Sequence, residues 1–201
     1  MNIKPIFKAG FLLFVFTLVS IFITSLVQDS TKDRIKYNEE QLLIKRLSEL
    51  VKSYDNDILQ DKILKPTILH SIQQTLSIYP AKKNNQTFAY LVEHTYPNGY
   101  NGNIRLLTGV GVDKKLLGVR VIAHKETPGL GDKIETKKSN WIEQFVGLSL
   151  SNPVINQWKV KPDGGAFDAF TGATITPRAI VSATYQILEL FRKQGFLNDK
   201  K

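Results

Sequence analysis

Residues 9–27 carry no charged side chain, and that fact constrains the chain more than any other. The run from Phe11 onward, Phe-Leu-Leu-Phe-Val-Phe-Thr-Leu-Val-Ser-Ile-Phe-Ile-Thr-Ser-Leu-Val, has about the length that crosses ~30 Å of hydrocarbon as a helix. A cleaved leader would have a shorter apolar stretch of about 7–15 residues, ending at a small-residue site. Here Gln28-Asp29-Ser30-Thr31-Lys32 follows, without an Ala-x-Ala pattern, so an uncleaved transmembrane helix over residues 9–27 is expected. Lys4 and Lys8 precede it, and positive charge beside a span stays in the cytoplasm. Residues 1–8 are therefore expected in the cytoplasm and residues 29–201 on the far side.

A chain of 201 residues with 42% hydrophobic content has room for this span and one domain of ordinary size, with no second globular domain. It contains no cysteine, which excludes a disulfide framework, a thiolate nucleophile and any Cys-ligated zinc or iron–sulfur site. The formal net charge is +9, of which Lys4 and Lys8 contribute 2 and the rest of the chain +7. These charges are scattered and form no basic helix face interleaved with aromatics, so nucleic-acid binding is not expected. His70, His94 and His124 lack metal-ligand spacing, and no metal is assigned. Gly109-Val-Gly-Val is not a dinucleotide fingerprint, because Lys114 stands where the third glycine belongs.

Beyond the span, Ile35, Leu42, Leu43, Leu47, Leu50 and Val51 recur at three- and four-residue spacing among charges, as on an amphipathic helix. Residues 52–86 hold short apolar groups with Pro66, Pro80 and a polar Lys82-Lys-Asn-Asn-Gln cluster, from which short helices followed by a loop are expected. Residues 28–86 thus form a helical stalk and connecting segment, and a domain over 87–201 follows. There, β-branched runs at 88–92, 104–112 and 117–123 read as strands. The last two, joined by Asp113-Lys114-Lys115, form an antiparallel hairpin. A short helix is expected at 139–145 and a strand at 157–161. Ile180, Thr184, Ile187, Leu188 and Phe191 make a helical stripe, with Thr176 as N-cap, Pro177 at the first helical position and Gly195 past the end. The fold class is α+β: one transmembrane helix, then a domain with an antiparallel sheet and a C-terminal helix.

Two short blocks carry the chemistry. Asp168-Ala-Phe-Thr171-Gly172-Ala173-Thr174-Ile-Thr-Pro177 sets hydroxyls and small residues directly before the last helix. A helix N-terminus favours a phosphate, yet on physical grounds alone these threonines serve equally well as capping hydroxyls. His124-Lys125-Glu126-Thr127-Pro128-Gly129-Leu130-Gly131 follows a strand, and taken alone its Pro-Gly-Leu-Gly is a turn.

The wording is sharper than the physics. Asp-x-x-Ser/Thr-Gly-Ala-Thr resembles the flavinylation motif of FMN-binding domains in two related respiratory complexes, the Rnf ion-translocating complex and the sodium-pumping NADH:quinone reductase. The resemblance implies that Thr174 forms a phosphoester with FMN, with Asp168, Thr171, Gly172 and Ala173 completing the motif, and that a magnesium-dependent flavin transferase installs the FMN from FAD. It also implies that Glu126, Thr127, Gly129, Leu130 and Gly131 line the flavin ring. Gly99-Tyr100-x-Gly102-x-Ile104, Trp141 with Phe145, and Asp163-Gly164-Gly165 are similarly in keeping with the family. Tyr100, Trp141 and Trp158 read as core rather than ring-stacking residues. The short chain resembles the G subunit of the Rnf complex, and the C subunit of the quinone reductase is the alternative. The implied role is an electron carrier among other membrane subunits, with no substrate site of its own. A free-standing flavin reductase would need acid–base groups beyond Lys125 and Glu126, and a purely structural anchor would carry no flavin.

Orientation is directly testable. A reporter active only outside the cytoplasm, fused after Lys201, is expected to be active. Activity from a cytoplasm-restricted reporter alone would reverse the assignment.

Overall fold

The computed structural model describes residues 4–193. Gly195, expected just past the last helix, lies outside the described residues. The chain divides into two compact units, residues 1–44 and 45–201, taken separately below.

The first unit belongs to helix α1, Lys4–Leu50. Its apolar side chains point outward all round, with Phe11, Leu13 and Phe16 each at least 66% exposed, a surface suited to lipid rather than water. The hydroxyls inside the apolar stretch are satisfied within the helix: Thr17, Ser20 and Thr24 donate to the carbonyls of Leu13, Phe16 and Ser20 at 2.8–2.9 Å. Such back-bonding lets small polar residues sit in hydrocarbon without unpaired groups. This is the one helix among the described residues that is long and apolar enough to cross a membrane.

The second unit starts in the final turn of α1 and contains a five-stranded antiparallel meander in the order β1-β2-β3-β4-β5. Its strands are β1 Ile63–Leu69, β2 Ile72–Lys83, β3 Gln86–Gly99, β4 Gly102–Gly111 and β5 Leu116–Ala123. After four short 3-10 turns the chain ends in α2, Ile175–Lys193. The stripe Ile180, Thr184, Ile187, Leu188 and Phe191 is buried as expected, and α2 packs on β3 and β4. β4 is buried almost continuously, the pattern of a strand covered on both faces. On the face away from α2, Leu50 lies so close to Gly118 that a Cβ there would fall 2.9 Å from its Cδ2. Arg120 ties this joint: its Nε donates to Glu49 at 2.8 Å and its NH2 pairs with Glu143 at 2.9 Å.

The hairpin of β4 and β5 forms through Asp113-Lys114-Lys115 as the sequence suggests, and Trp141–Phe145 is a 3-10 turn. Two expectations are corrected. Residues 52–86 are not short helices and a loop, because they contain β1 and β2. Pro66 sits in an edge strand, where a missing N–H costs no ladder bond on the open side. Pro80 lies beyond the last β1 partner of β2, which is Ile78. There the Asn56 side chain stands in for the absent strand, donating to the Pro80 carbonyl at 3.0 Å and accepting from the Lys82 N–H at 2.8 Å. Residues 157–161 are not a strand. They hold the end of one 3-10 turn, a single bridge from Val160 to Phe167, and the start of the next, with Pro162 limiting any ladder.

The β1–β2 turn places His70 and Ser71 at φ of +57° and +61°, as a tight two-residue hairpin requires. The His70 ring meets that of Tyr96 edge-on at 4.5 Å and that of His94 at 6.2 Å. Burial pushes His70 down to about 4, and burial together with the neighbouring His70 pushes His94 down to about 3. The unfolded chain protonates these imidazoles near 6.5, so between that pH and the folded values it binds more protons than the native state. Stability therefore falls as pH drops through this window. The denaturation midpoint is expected to decline between about pH 7 and about pH 4.5, and His94→Asn should flatten that slope. A pH-independent midpoint would contradict the assignment.

Candidate functional site

Two turns of the same type build the site. In Thr127-Pro128-Gly129-Leu130 the Leu130 N–H reaches the Thr127 carbonyl at 3.2 Å, and Gly129 has a φ of +79°. In Phe170-Thr171-Gly172-Ala173 the Ala173 N–H reaches the Phe170 carbonyl at 3.2 Å, and Gly172 has a φ of +81°. Both are type II turns, which demand positive φ at the third position and so explain the glycines. They face each other: a Cβ on Gly172 would lie 3.7 Å from Leu130 Cδ2. The backbone N–H of Gly129, followed by the ammonium of Lys138, holds the Asp132 carboxyl below its usual range and helps to pin the first turn.

A buried carboxylate joins the turns to the rest of the domain. Glu126 is 4% exposed. Its Oε2 accepts the Thr176 hydroxyl and its Oε1 accepts the Asn101 N–H at 3.1 Å. The Asn101 side-chain amide also reaches Thr127 Oγ1 at 3.2 Å. Packing here is tight, because a Cβ on Gly131 would fall 2.9 Å from both Glu126 Cβ and Thr176 Oγ1.

Between these pieces lies a cleft of about 300 Å³ whose walls come from the β3–β4 turn, the segment after β5, and the approach to α2. Glu126, Thr127, Leu130, Gly131, Gly172, Ala173 and Thr174 line it. The other sequence-derived site residues do not. Gly129 and Thr171 shape the turns. The Asp168 carboxylate pairs with Lys161 at 2.5 Å, while its carbonyl takes the Trp141 indole N–H at 2.9 Å. Leu130 is 43% exposed, so its role is to cover the cleft rather than fill the core.

Four residues stand differently from the sequence reading. Tyr100 is not core: it lines the cleft and is 64% exposed, because it occupies the tip of the β3–β4 turn. Thr176 is not the N-cap and Pro177 is the third helical residue rather than the first, since α2 begins at Ile175 and the capping position falls on Thr174. Ile175 also lines the cleft. Its place beside the last motif threonine was a signal that the helical stripe, starting at Ile180, did not reach. Trp158 is core and Trp141 packs on Phe145 and Phe170.

The site fits a flavin nucleotide. Thr174 is exposed at the cleft's edge, where the N-terminus of α2 supplies unpaired N–H groups and partial positive charge for a phosphate. Leu130 and Tyr100 offer apolar and aromatic surface beside it.

Comparison with known proteins agrees. Residues 99–189 match the family model of the FMN-binding domain and residues 1–50 that of the RnfG N-terminal region. The fold and site thus define an FMN-binding domain carried on a membrane-length helix. Relatives include the G subunit of the ion-translocating oxidoreductase complex from Shewanella baltica, 44% identical over 90% of this chain and 86% of that protein. Its counterpart from Pseudomonas aeruginosa is 42% identical over 94% and 89%, and that from Vibrio vulnificus 38% over 93% and 90%. The chain belongs to the G-subunit family of the ion-translocating oxidoreductase complex, the first of the two complexes that the motif resembles.

The Thr176–Glu126 bond is the testable part of this geometry. Thr176→Val keeps the shape and leaves a buried carboxylate oxygen unpaired, so it is expected to lower stability by about 1–3 kcal/mol. Thr176→Ser should cost less than half of that. Equal denaturation midpoints for wild type and Thr176→Val would mean that the bond does not contribute.

Proposed function

We propose that this chain is a membrane-anchored electron carrier whose FMN is bound covalently through a phosphoester to Thr174. It serves as one carrier within an ion-translocating ferredoxin/NAD oxidoreductase complex. The observation that carries the reading is the position of Thr174. It is the terminal threonine of Asp168-x-x-Thr171-Gly172-Ala173-Thr174, and its hydroxyl is exposed at the mouth of the cleft, at the head of α2.

In maturation, Thr174 Oγ1 bonds to the flavin-side phosphorus of FAD, the anhydride bond breaks, AMP leaves, and the hydroxyl proton passes to a base of the flavin transferase. Thr171 and Thr176 are not modified, because one shapes a turn and the other is buried against Glu126. The bound FMN supplies one- and two-electron redox chemistry. When bound, it would be held by its phosphate, with Leu130, Thr127 and the backbone of the first turn available to the ring end. Within the cleft the titratable side chains are Glu126, which already accepts two hydrogen bonds, and Tyr100, which stands exposed at the turn tip. This favours a carrier over an enzyme with its own acid–base pair. Residues 9–27 cross the bacterial inner membrane, residues 1–8 stay in the cytoplasm, and the FMN-binding domain works on the periplasmic side.

Thr174→Ala is expected to abolish covalent flavin while the domain still folds, read as loss of flavin fluorescence after denaturing electrophoresis. In the wild type, co-expressed with a flavin transferase, the peptide holding residues 168–178 should gain the mass of one FMN less one water, localised to Thr174. That mass on Thr171 or Thr176, or on no residue, would overturn the assignment.

A further inference from the structure

Asp163-Gly164-Gly165 has no part in the cleft described above. The 3-10 turn Lys161–Asp163 ends on Gly164 at a φ of +80°. The next residue, Gly165, runs so tightly against Lys159 that a Cβ would fall 1.9 Å from its carbonyl oxygen. No other residue fits there, and the tight return aims Asp163 at α2. Arg178 Nε donates to Asp163 Oδ2 at 2.6 Å and Arg178 NH2 to Oδ1 at 2.7 Å. This is the two-pronged arginine–carboxylate fork, which fixes the guanidinium plane as well as its charge. The third nitrogen, NH1, points 3.4 Å from Thr174 Oγ1. Thr174 and Arg178 are four residues apart, one turn along the same face of the helix start.

We propose that Arg178, oriented by Asp163, is the cation that receives the FMN phosphodiester on Thr174. The proposal rests on Thr174 being the attachment residue. An ester on Oγ1 would place phosphorus one bond beyond it and two non-bridging oxygens two bonds beyond, within reach of NH1, whose hydrogens are not taken by Asp163. A diester carries one negative charge, matched by the one guanidinium. The helix alone offers less than usual here. Of the N–H groups that open a helix without an internal partner, that of Pro177 is missing. The side-chain cation supplies what the backbone lacks. Because Asp163 already holds Arg178, little further side-chain ordering accompanies phosphate binding. The hydrogen bonds from Arg178 hold the Asp163 carboxyl below its usual range, so the fork persists through neutral and mildly acidic pH. The Asp163-Gly164-Gly165 motif is therefore a device for positioning Arg178.

The test uses the full-length chain in detergent, co-expressed with a flavin transferase, and reads the phosphorus-31 resonance of the bound diester. In the wild type that resonance should be displaced from the one given by the proteolysed FMN-peptide. In Arg178→Gln it should collapse onto the peptide position, with covalent incorporation slowed roughly tenfold or more, the weight of one charge-assisted hydrogen bond. Arg178→Lys should restore part of the displacement, which a merely structural role would not do. If Arg178→Gln takes up no flavin, Asp163→Asn is read in its place, since it keeps the guanidinium and removes only its anionic clamp. Its resonance should move toward that of the peptide. An unmoved resonance in a folded Arg178→Gln or, failing that, Asp163→Asn overturns the proposal. Mass mapping of the wild type separates the two claims. FMN on another threonine overturns the attachment reading and this one together, whereas FMN on Thr174 with an unmoved resonance overturns only this one.

Discussion

The buried carboxylate of Glu126 joins three segments that are remote in sequence, and the site depends on it. One oxygen accepts the backbone of the β3–β4 turn at Asn101 and the other the hydroxyl of Thr176 in the first turn of α2. Its own backbone N–H goes to His124 Nδ1 at 3.0 Å, and the other ring nitrogen of His124 meets Glu135 at 2.9 Å. Among the described residues no cation pairs with Glu126, so hydrogen bonds alone compensate its burial. A charge buried in this way is costly to disturb. The cost is what makes the arrangement specific: the turns can approach α2 in the one register that satisfies both oxygens. Glycines at 99 and 131 follow from the same demand. A Cβ at either would meet a Glu126 atom at under 3.0 Å.

Local features of the fold were legible where a short-range rule decides the outcome. The uncharged run of residues 9–27, the hairpin at Asp113-Lys114-Lys115 and the stripe from Ile180 to Phe191 each follow from periodicity or turn chemistry alone. The first type II turn was legible for the same reason, since Pro128-Gly129 places glycine where positive φ is needed, whereas Thr171-Gly172 was not read as a turn. What escaped was decided at long range. β1 shows no clean alternation because it is an edge strand with Ile63, Leu64 and Ile68 exposed, and β2 contains a proline whose neighbours are served by Asn56. Thr176 resembles a cap in sequence, but its hydroxyl has a partner 50 residues away. Tyr100 reads as an ordinary core aromatic until the β3–β4 turn carries it to the cleft. The motif resemblance supplied the site residues that spacing alone left open between cap and phosphate ligand.

The proposed covalent attachment would account for the openness of the cleft. With Tyr100 at 64% and Leu130 at 43% exposure, these walls would bury little of a flavin ring. Noncovalent cofactor sites commonly enclose most of their ligand. A bond to Thr174 would remove that requirement, because a tethered ring would stay at high effective concentration beside its turn even with weak contacts. The protein can then leave the ring end exposed, which suits a carrier that must pass electrons between partner proteins rather than shelter a substrate. The proposed attachment would also lie far from the chemistry. With the phosphate at the head of α2 and the ring toward the opposing turn, the tether would fix position without drawing on the ring's electronic structure. On that proposal the division of labour would follow the sequence, with one motif to hold the phosphate and the other to meet the ring, and the Glu126–Thr176 bond would set the distance between them.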